Sequence, residues 1–226
     1  MMFRIPANNL KINEFFYNNK YEEGQTTTIP NDAQFNAMLE KGFNLEWNDY
    51  DSYIAELVRL GIKPGDRVFD FGCSWGYGSY QLRAAGYDVL SYDIAIDRRS
   101  FGEDRLGVTL VENPDEIVEG HALFNSFDCF FRAHVLEHVP VPSKIINLAW
   151  RCLKPGGIFV AFFPNGNAAY RHNAPKSWRN MWGDVHPNFL DDQFFKAHFK
   201  SQVPEFFARA GQDKDNYYEL GVVVKK

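Results

Sequence analysis

The chain has 226 residues, of which 45% are hydrophobic and 23% charged, values typical of a globular protein with a substantial core. Its formal net charge of −5 argues against nucleic acid as a partner, because a phosphate backbone is normally bound by a basic face. Three widely spaced cysteines suggest neither a disulfide framework nor a zinc knuckle. Because the sequence carries no apolar leader and no run of 18 apolar residues, we expect a cytoplasmic protein that does not enter a membrane.

The first 48 residues are polar and irregular, which predicts an arm with one short helix at 32–42. From residue 49 onward, apolar stripes of helical period alternate with short apolar runs bounded by glycine. This alternation predicts helices at 49–61, 76–86 and 141–157 and strands at 67–71, 87–93, 107–112, 127–131 and 158–163. The remainder is predicted to form a long functional loop at 164–188, helical pieces at 190–200 and 203–211, and one final strand at 217–226.

Strands that are apolar on both faces and alternate with helices are typical of a parallel sheet covered on each side. The pattern therefore predicts an α/β fold with a doubly wound, Rossmann-like sheet of six or seven strands, most of them parallel. We expect a single domain over residues 49–226, with residues 1–48 forming an arm that caps its ligand.

A glycine-rich segment, VFDFGCSWGYGS at 68–79, follows the first predicted strand and opens a helix. Gly72, Gly76 and Gly78 allow the backbone to lie against a ligand, and the helix N-terminus offers unpaired N–H groups to a polar head. Asp93 ends the second predicted strand, where an acid is placed to accept hydrogen bonds from ribose hydroxyls. The two features together predict a nucleoside-containing cofactor.

Four segments, VFDFGCSWGYG, VLSYD, FDCFFRAHVLEHVP and LKPGGIFVAFFPN, occur in an order that resembles the class I S-adenosylmethionine (SAM)-dependent methyltransferases. The resemblance runs from about residue 53 to 165 and departs from the usual pattern at Ser74, where many members have glycine. It implies SAM as cofactor and S-adenosylhomocysteine as product, with the methionine end near Asp70 and the ribose diol held by Asp93. The cofactor-binding residues that it implies are Asp70, Gly72, Cys73, Ser74, Gly76, Asp93, Ile94, Glu112, Asn113, Arg132 and Ala133.

The string His134-x-x-Glu137-His138 allows three interpretations. On a long helix it could place two imidazoles around zinc, as in inverted zinc proteases, but Pro140 and Pro142 leave little room for such a helix. Some methyltransferases bind a divalent ion at these positions with Glu in place of His134, and we therefore expect no metal here. The third interpretation is structural, with Glu137 and His138 hydrogen-bonded to each other beneath the helix.

Methyl transfer to a hydroxyl benefits from a general base, and histidine has a suitable pKa. The resemblance places His134 beside the sulfonium, which makes it the first catalytic candidate, followed by His186 and His138. Acceptor recognition is expected in two segments that are rich in aromatic residues and lie outside the four segments shared with the family. These are the arm with Tyr17, Tyr21, Phe35 and Trp47, and the loop with Tyr170, Arg171, His172, Trp178, Trp182 and His186.

We therefore expect a SAM-dependent O-methyltransferase that acts on a small molecule, such as a saccharide or a secondary-metabolite intermediate. An N-methyltransferase and a SAM-binding module without catalysis are the alternatives. A nicotinamide dehydrogenase could use Arg98 and Arg99 for a 2′-phosphate, but its glycines would follow the spacing Gly-x-Gly-x-x-Gly. The sequence leaves the acceptor, its reacting atom and the oligomeric state open.

Overall fold

The computed structural model describes residues 2–3, 10–19, 27–43, 47–181 and 186–226. Its helices are α1 (Leu10–Asn19), α2 (Asp32–Glu40), α3 (Asp51–Arg59), α4 (Tyr77–Ala84), α5 (Ile96–Leu106), α6 (Pro142–Cys152), α7 (Ala168–Asn173), α8 (Pro175–Asn180) and α9 (Asp192–His198). Its strands are β1 (Met2–Phe3), β2 (Arg67–Phe71), β3 (Asp88–Tyr92), β4 (Phe127–Ala133), β5 (Leu153–Pro164), β6 (Asn188–Phe189), β7 (Glu205–Phe207) and β8 (Glu219–Lys225). Among the described helices, none is both long and apolar enough to cross a bilayer.

The chain divides into two compact units. The N-terminal unit comprises Glu14–Pro114, and the C-terminal unit comprises Met1–Asn13 together with Asp115–Lys226. The predicted division into an arm of residues 1–48 and a domain of residues 49–226 stays a prediction.

The N-terminal unit is built on the parallel pair β2–β3, which runs in register from Arg67 opposite Asp88 to Phe71 opposite Tyr92. Both strands form where the sequence predicts them. The predicted strand at 107–112 is reduced to an isolated parallel bridge between Ser91 and Leu110, although Val111 N–H still donates to Ser91 O. α5 was not predicted, because its sequence IDRRSFGEDRL is polar over most of its length.

In the C-terminal unit four strands follow one another in the order β4-β5-β8-β7, and β1 and β6 form a separate antiparallel pair. β4 and β5 are parallel, whereas β8 runs antiparallel to both β5 and β7. Phenylalanine fills the core of this unit, since six rings on β4 and β5 are no more than 1% exposed. They are Phe127, Phe130, Phe131, Phe159, Phe162 and Phe163.

Two predictions in the C-terminal unit are wrong. The helix expected at 203–211 contains the short strand β7, which completes an antiparallel hairpin with β8 where only one strand was predicted. The ring of Phe207 lies so close to Gly221 that a Cβ there would come within 2.7 Å of it, and this long-range contact leaves no local pattern. The loop expected at 164–188 carries the short helices α7 and α8.

The pairs β2–β3 and β4–β5 are parallel, and a helix lies between the two strands of each pair. The prediction of an α/β fold with a mostly parallel sheet of six or seven strands is therefore confirmed, and the sheet has six strands. The parallel pairs arise because each crossover is long enough to hold a helix, and the chain then returns in the same direction.

Candidate functional site

The loop that joins β2 to α4 is held in a left-handed backbone conformation at three positions. Gly72, Ser74 and Gly76 have φ angles of 88°, 53° and 87°. The amides of Gly72 and Cys73 both donate to Tyr92 O, at 2.7 and 3.0 Å, which ties the loop to the end of β3. Glycine adopts positive φ without strain, whereas Ser74 does so at a cost, and this accounts for the preference for glycine at its position.

Asp93 directly follows β3, and its carboxylate is fixed by the backbone. Its Oδ2 accepts from Ser74 N–H at 2.8 Å, and its Oδ1 accepts from Ala95 N–H at 2.9 Å. Burial raises the pKa of Asp93, while these hydrogen bonds and the charge of Arg98 oppose the rise. Each oxygen accepts one of these two bonds and keeps acceptor capacity, so the carboxylate offers two adjacent acceptors in a fixed orientation.

Asp70 lies at the second-last residue of β2 and is 1% exposed. Burial raises its pKa to about 7, although the hydroxyl of Ser79, which donates to its Oδ2 at 2.6 Å, acts to lower it. Ser91 connects to the same group, since its hydroxyl is 2.9 Å from that of Ser79. A buried carboxyl with a pKa near neutrality can bind a cationic group and become ionised as it does so.

We refer to Asp70, Asp93 and the loop Gly72–Gly76 as the strand-end site. Ile94 is half-buried beside it, whereas Glu112 and Asn113 are exposed and follow the Ser91–Leu110 bridge. All the predicted cofactor residues up to Asn113 thus lie in or next to the ends of β2 and β3 or follow the bridge. Their contact with a cofactor stays a prediction.

Asn18 of α1 is a residue of this region that the sequence did not predict. Its amide nitrogen donates to Ile94 O at 3.3 Å, and its amide oxygen accepts from Ile96 N–H at 3.1 Å. The side chain of Asn18 therefore hydrogen-bonds the backbone that follows Asp93, as a neighbouring strand would. The NN pair at 18–19 sits in a polar stretch with no periodicity, and such a stretch contains no signal for this role.

In the C-terminal unit, His134 follows β4 and is held between two carboxylates. Its Nδ1 is 3.3 Å from Glu137 Oε1, and its Nε2 is 2.7 Å from Glu219 Oε2. Burial acts to lower the pKa of His134, but its bonds with Glu137 and Glu219 and their charges raise it to about 10. His134 also has a φ of 52°, a strained conformation that is often found at functional positions.

Glu137 belongs to a short 3-10 turn, Leu136–His138, and is 1% exposed. Although burial alone would raise the pKa of its carboxyl, the hydrogen bond with His134 and the charges of His138, His134 and His186 lower it to about 2. His138 Nε2 lies 3.9 Å from Glu137 Oε1, which is too long for a hydrogen bond. Glu137 is thus hydrogen-bonded to His134 and not, as expected, to His138.

His186 brings a distant segment to the same place, since the centroid of its ring lies 4.6 Å from that of His138. One ring nitrogen or carboxylate oxygen from each of Glu137, His138 and His186 lies within 4.8 Å of the other two. The structure therefore groups the three predicted catalytic histidines with two carboxylates. We refer to His134, Glu137, His138, His186 and Glu219 as the His–Glu cluster.

Glu219, the first residue of β8, was not identified from the sequence. It is 0% exposed and contacts both His134 and Arg209, with its Oε1 2.9 Å from Arg209 Nε. The sequence signal that could have identified Glu219 is its position directly before the apolar run LGVVV. An acid that is buried in such a strand requires a partner.

Arg132 and Ala133 end β4. The side chain of Arg132 is fully buried, and burial lowers its pKa to about 9 against the charge of Glu137. Because the whole residue is 0% exposed, Arg132 has no surface open to a ligand in this structure. The predicted cofactor role of both residues stays a prediction.

The aromatic residues proposed for acceptor recognition differ in exposure. Phe35, Tyr170 and Trp178 are buried and therefore fill cores, whereas Trp47 is 75% exposed. Arg171 lies over the Trp178 ring at 4.9 Å, and His172 is exposed. Tyr21 and Trp182 lie outside the described residues.

Residues 69–161 match the family model described as a methyltransferase domain. The chain is 28% identical over 160 residues to a ubiquinone biosynthesis O-methyltransferase of Pectobacterium atrosepticum, covering 65% of this chain and 66% of that protein. It is 27% identical over 134 residues to the tRNA 5-carboxymethoxyuridine methyltransferase of Escherichia coli, with 56% and 49% covered. It is also 27% identical over 125 residues to phosphoethanolamine N-methyltransferase 2 of Caenorhabditis elegans, with 52% and 28% covered. The chain thus spans about two thirds or less of the length of these relatives.

Solved structures share the fold. A SAM-dependent methyltransferase from Archaeoglobus fulgidus superposes with a TM-score of 0.59 at 14% identity, covering 84% of this chain and 99% of that one. A phosphoethanolamine N-methyltransferase 2 from Haemonchus contortus, solved in complex with SAM, gives a TM-score of 0.58 at 20% identity, with 95% and 59% covered. At such identities the likeness establishes the Rossmann-like architecture alone.

Proposed function

The chain belongs to the class I SAM-dependent methyltransferases, and from that premise we propose that it transfers a methyl group from SAM to an oxygen atom of a small hydroxylated molecule. The observation that carries this proposal is the fixed carboxylate of Asp93. Two backbone N–H groups orient it, and each of its oxygens keeps acceptor capacity toward a ribose diol.

The remainder of the strand-end site supports the same cofactor. The left-handed glycines carry no side chain, so the loop backbone can lie close against a ligand. Asp70 supplies a buried carboxyl suited to an ammonium group such as that of the methionine moiety. When bound, SAM supplies a methyl group on a positively charged sulfur.

We assign the acceptor side to the His–Glu cluster. Both ring nitrogens of His134 are engaged by carboxylates, so we give it the role of a positioning residue. His138 and His186 are then the candidates that hydrogen-bond the acceptor hydroxyl and direct its proton away as the new bond forms. An oxygen acceptor is supported by this chemistry and by the O-methyltransferase relative from Pectobacterium.

Transfer to nitrogen is the second candidate, and it is supported by the phosphoethanolamine N-methyltransferase relative. The tRNA methyltransferase relative adds nucleic acid to the acceptors that have to be tested, although the net charge of −5 disfavours it.

Calorimetric titration with S-adenosylhomocysteine tests the cofactor proposal. We expect binding to the wild type and a loss of 10-fold or more in Asp93→Ala. Asp97→Ala is the matched control, because Asp97 is exposed on the next helix and should leave affinity unchanged. The proposal fails if S-adenosylhomocysteine gives no heat, or if NAD or NADP binds in its place.

The acceptor is tested by incubating the enzyme and SAM with pools of hydroxylated metabolites, small amines and tRNA, each analysed for a mass gain of one methyl group. A methylated hydroxyl product supports the proposal, and a methylated amine or tRNA replaces it with one of the other acceptors. Failure of all pools with intact cofactor binding would favour a SAM-binding module without catalysis.

A further inference from the structure

We propose that Glu137, His138 and His186 form a binding site for a divalent transition-metal ion, with Zn²⁺ as the best-matched ion. We expected no metal from the sequence, because His134 stands where the usual motif has Glu. His186 lies 48 residues beyond His138 and outside that motif. The fold supplies this distant third ligand.

The three side chains offer a suitable set of atoms at a suitable separation. One ligand atom from each lies within 4.8 Å of the other two, and the two imidazole rings are 4.6 Å apart at their centroids. In a tetrahedral zinc site, ligand atoms about 2.0–2.2 Å from the ion lie about 3.4 Å from one another. Ion binding therefore requires these atoms to approach one another by no more than about 1.4 Å.

The outer contacts orient two of the ligands as metal sites require. His186 Nδ1 donates to the backbone carbonyl of Met181, so in the neutral ring the lone pair is on Nε2. Glu137 is held through Oε1 by His134, which is held in turn by Glu219. Metal-binding histidines and carboxylates are typically fixed by such hydrogen bonds to a carbonyl or a charged partner.

Glu137 supplies a second, independent observation that points to a ligand. It is 1% exposed, and its Oε2 is buried without a hydrogen-bond partner within the part of the chain that the structure describes. A buried carboxylate oxygen without a partner is unfavourable. A bound cation would satisfy this oxygen.

The donor set selects the class of ion. Two imidazoles and one carboxylate favour zinc and neighbouring first-row ions over Mg²⁺ and Ca²⁺, which prefer oxygen ligands. Three protein ligands leave at least one coordination position for an acceptor oxygen, where the ion would lower the pKa of the acceptor hydroxyl. With the ion bound, His138 and His186 act on the acceptor through the ion, and they hydrogen-bond it directly only in the metal-free protein. Only this last role rests on the proposed methyl transfer, whereas binding of the ion does not.

The test uses the full chain, stripped with a chelator and titrated with Zn²⁺ by calorimetry and with Co²⁺ by visible absorption. We expect one ion per chain and a Co²⁺ spectrum of low-symmetry coordination. His186→Ala and Glu137→Gln should each weaken Zn²⁺ binding by 10-fold or more. His172→Ala is the matched control, because His172 is an exposed histidine outside the cluster and its loss should have no effect.

Far-ultraviolet circular dichroism and the urea unfolding midpoint of each variant serve as the check on folding, and S-adenosylhomocysteine binding is measured separately. Should Glu137→Gln fail to fold, the half-exposed His186 still decides the outcome. Absence of Zn²⁺ binding in the wild type, or unchanged binding in a folded His186→Ala variant, overturns the metal site. If Zn²⁺ binds while S-adenosylhomocysteine does not, the methyl-transfer proposal fails and the metal site stands. If S-adenosylhomocysteine binds while Zn²⁺ does not, the metal site fails and the cofactor proposal stands.

Discussion

The strand-end site in the N-terminal unit and the His–Glu cluster in the C-terminal unit are held in different ways. In the first, Asp93 and the loop Gly72–Gly76 are fixed by backbone amides within about 20 residues of one another. In the second, side chains from residues 134–138, 186 and 219 hold one another through charge. A site built on the backbone tolerates changes of side chain, whereas a buried network of charges depends on each of its members.

The largest effect should follow from removing one charge of the cluster. Glu219→Gln deprives His134 and Arg209 of a fully buried partner, and breaking such a network costs about 3–5 kcal/mol. We expect this loss in the free energy of unfolding, measured by urea denaturation. Glu205→Gln is the control, since Glu205 is exposed in β7. A loss below about 0.5 kcal/mol, the range of ordinary surface changes, would mean that the cluster is not held by charge.

The strand-end site should instead gain stability when its buried acid is neutralised. Burial raises the pKa of Asp70 from 3.8 to about 7, so between these values the folded state binds more protons than the unfolded one. Stability contributed by this group therefore falls as the pH rises through that window, by about 2–3 kcal/mol between pH 5 and pH 8.

Asp70→Asn removes this titration, and its stability relative to the wild type should increase from pH 5 to pH 8. Urea unfolding of the ligand-free protein at several pH values measures the difference. The exposed Asp88, changed to Asn in β3, is the control and should show no such trend. A difference that is independent of pH would mean that Asp70 is ionised throughout this range.

Close packing behind the strand-end site gives a smaller effect. A Cβ at Gly78 would lie 2.3 Å from the nearest atom of the Tyr50 ring, so Gly78→Ala should cost about 1–3 kcal/mol through overpacking. Gly65→Ala is informative beside it, because Gly65 has a φ of 90° but nothing within 4 Å of the added Cβ. Its cost of about 1–2 kcal/mol would come from backbone strain alone.

S-adenosylhomocysteine affinity separates the two glycine variants. We expect weaker binding in Gly78→Ala, because α4 begins directly after the loop, and no change in Gly65→Ala. Equal affinities would show that the loop is insulated from α4.

The same contrast explains what the sequence could predict. β2, β3 and Asp93 were predicted because each depends on residues near it in the chain: an apolar run, a glycine turn and an acid at the strand end. β7 was not predicted, and a helix was wrongly predicted in its place, because it has only three residues. Three residues do not distinguish the period of 2 of a strand from the period of 3.6 of a helix. The partnership of His134 with Glu219 spans 85 residues and leaves no local pattern, although the histidine itself stood out in the motif.

The smallest effect concerns the one loop position where this chain departs from the usual glycine. Ser74 has a φ of 53°, which costs a residue with a Cβ about 1–2 kcal/mol, and its Oγ is buried with no hydrogen-bond partner among the described residues. Glycine would remove both costs but lose about 0.4–1 kcal/mol through the greater freedom of the unfolded chain. We therefore expect Ser74→Gly to stabilise the protein by about 0.5–1 kcal/mol in urea unfolding. Ser100→Gly, the same substitution at an exposed position of α5, should destabilise it by about 0.5 kcal/mol, and a loss of stability at both positions would mean that the loop is not strained at Ser74.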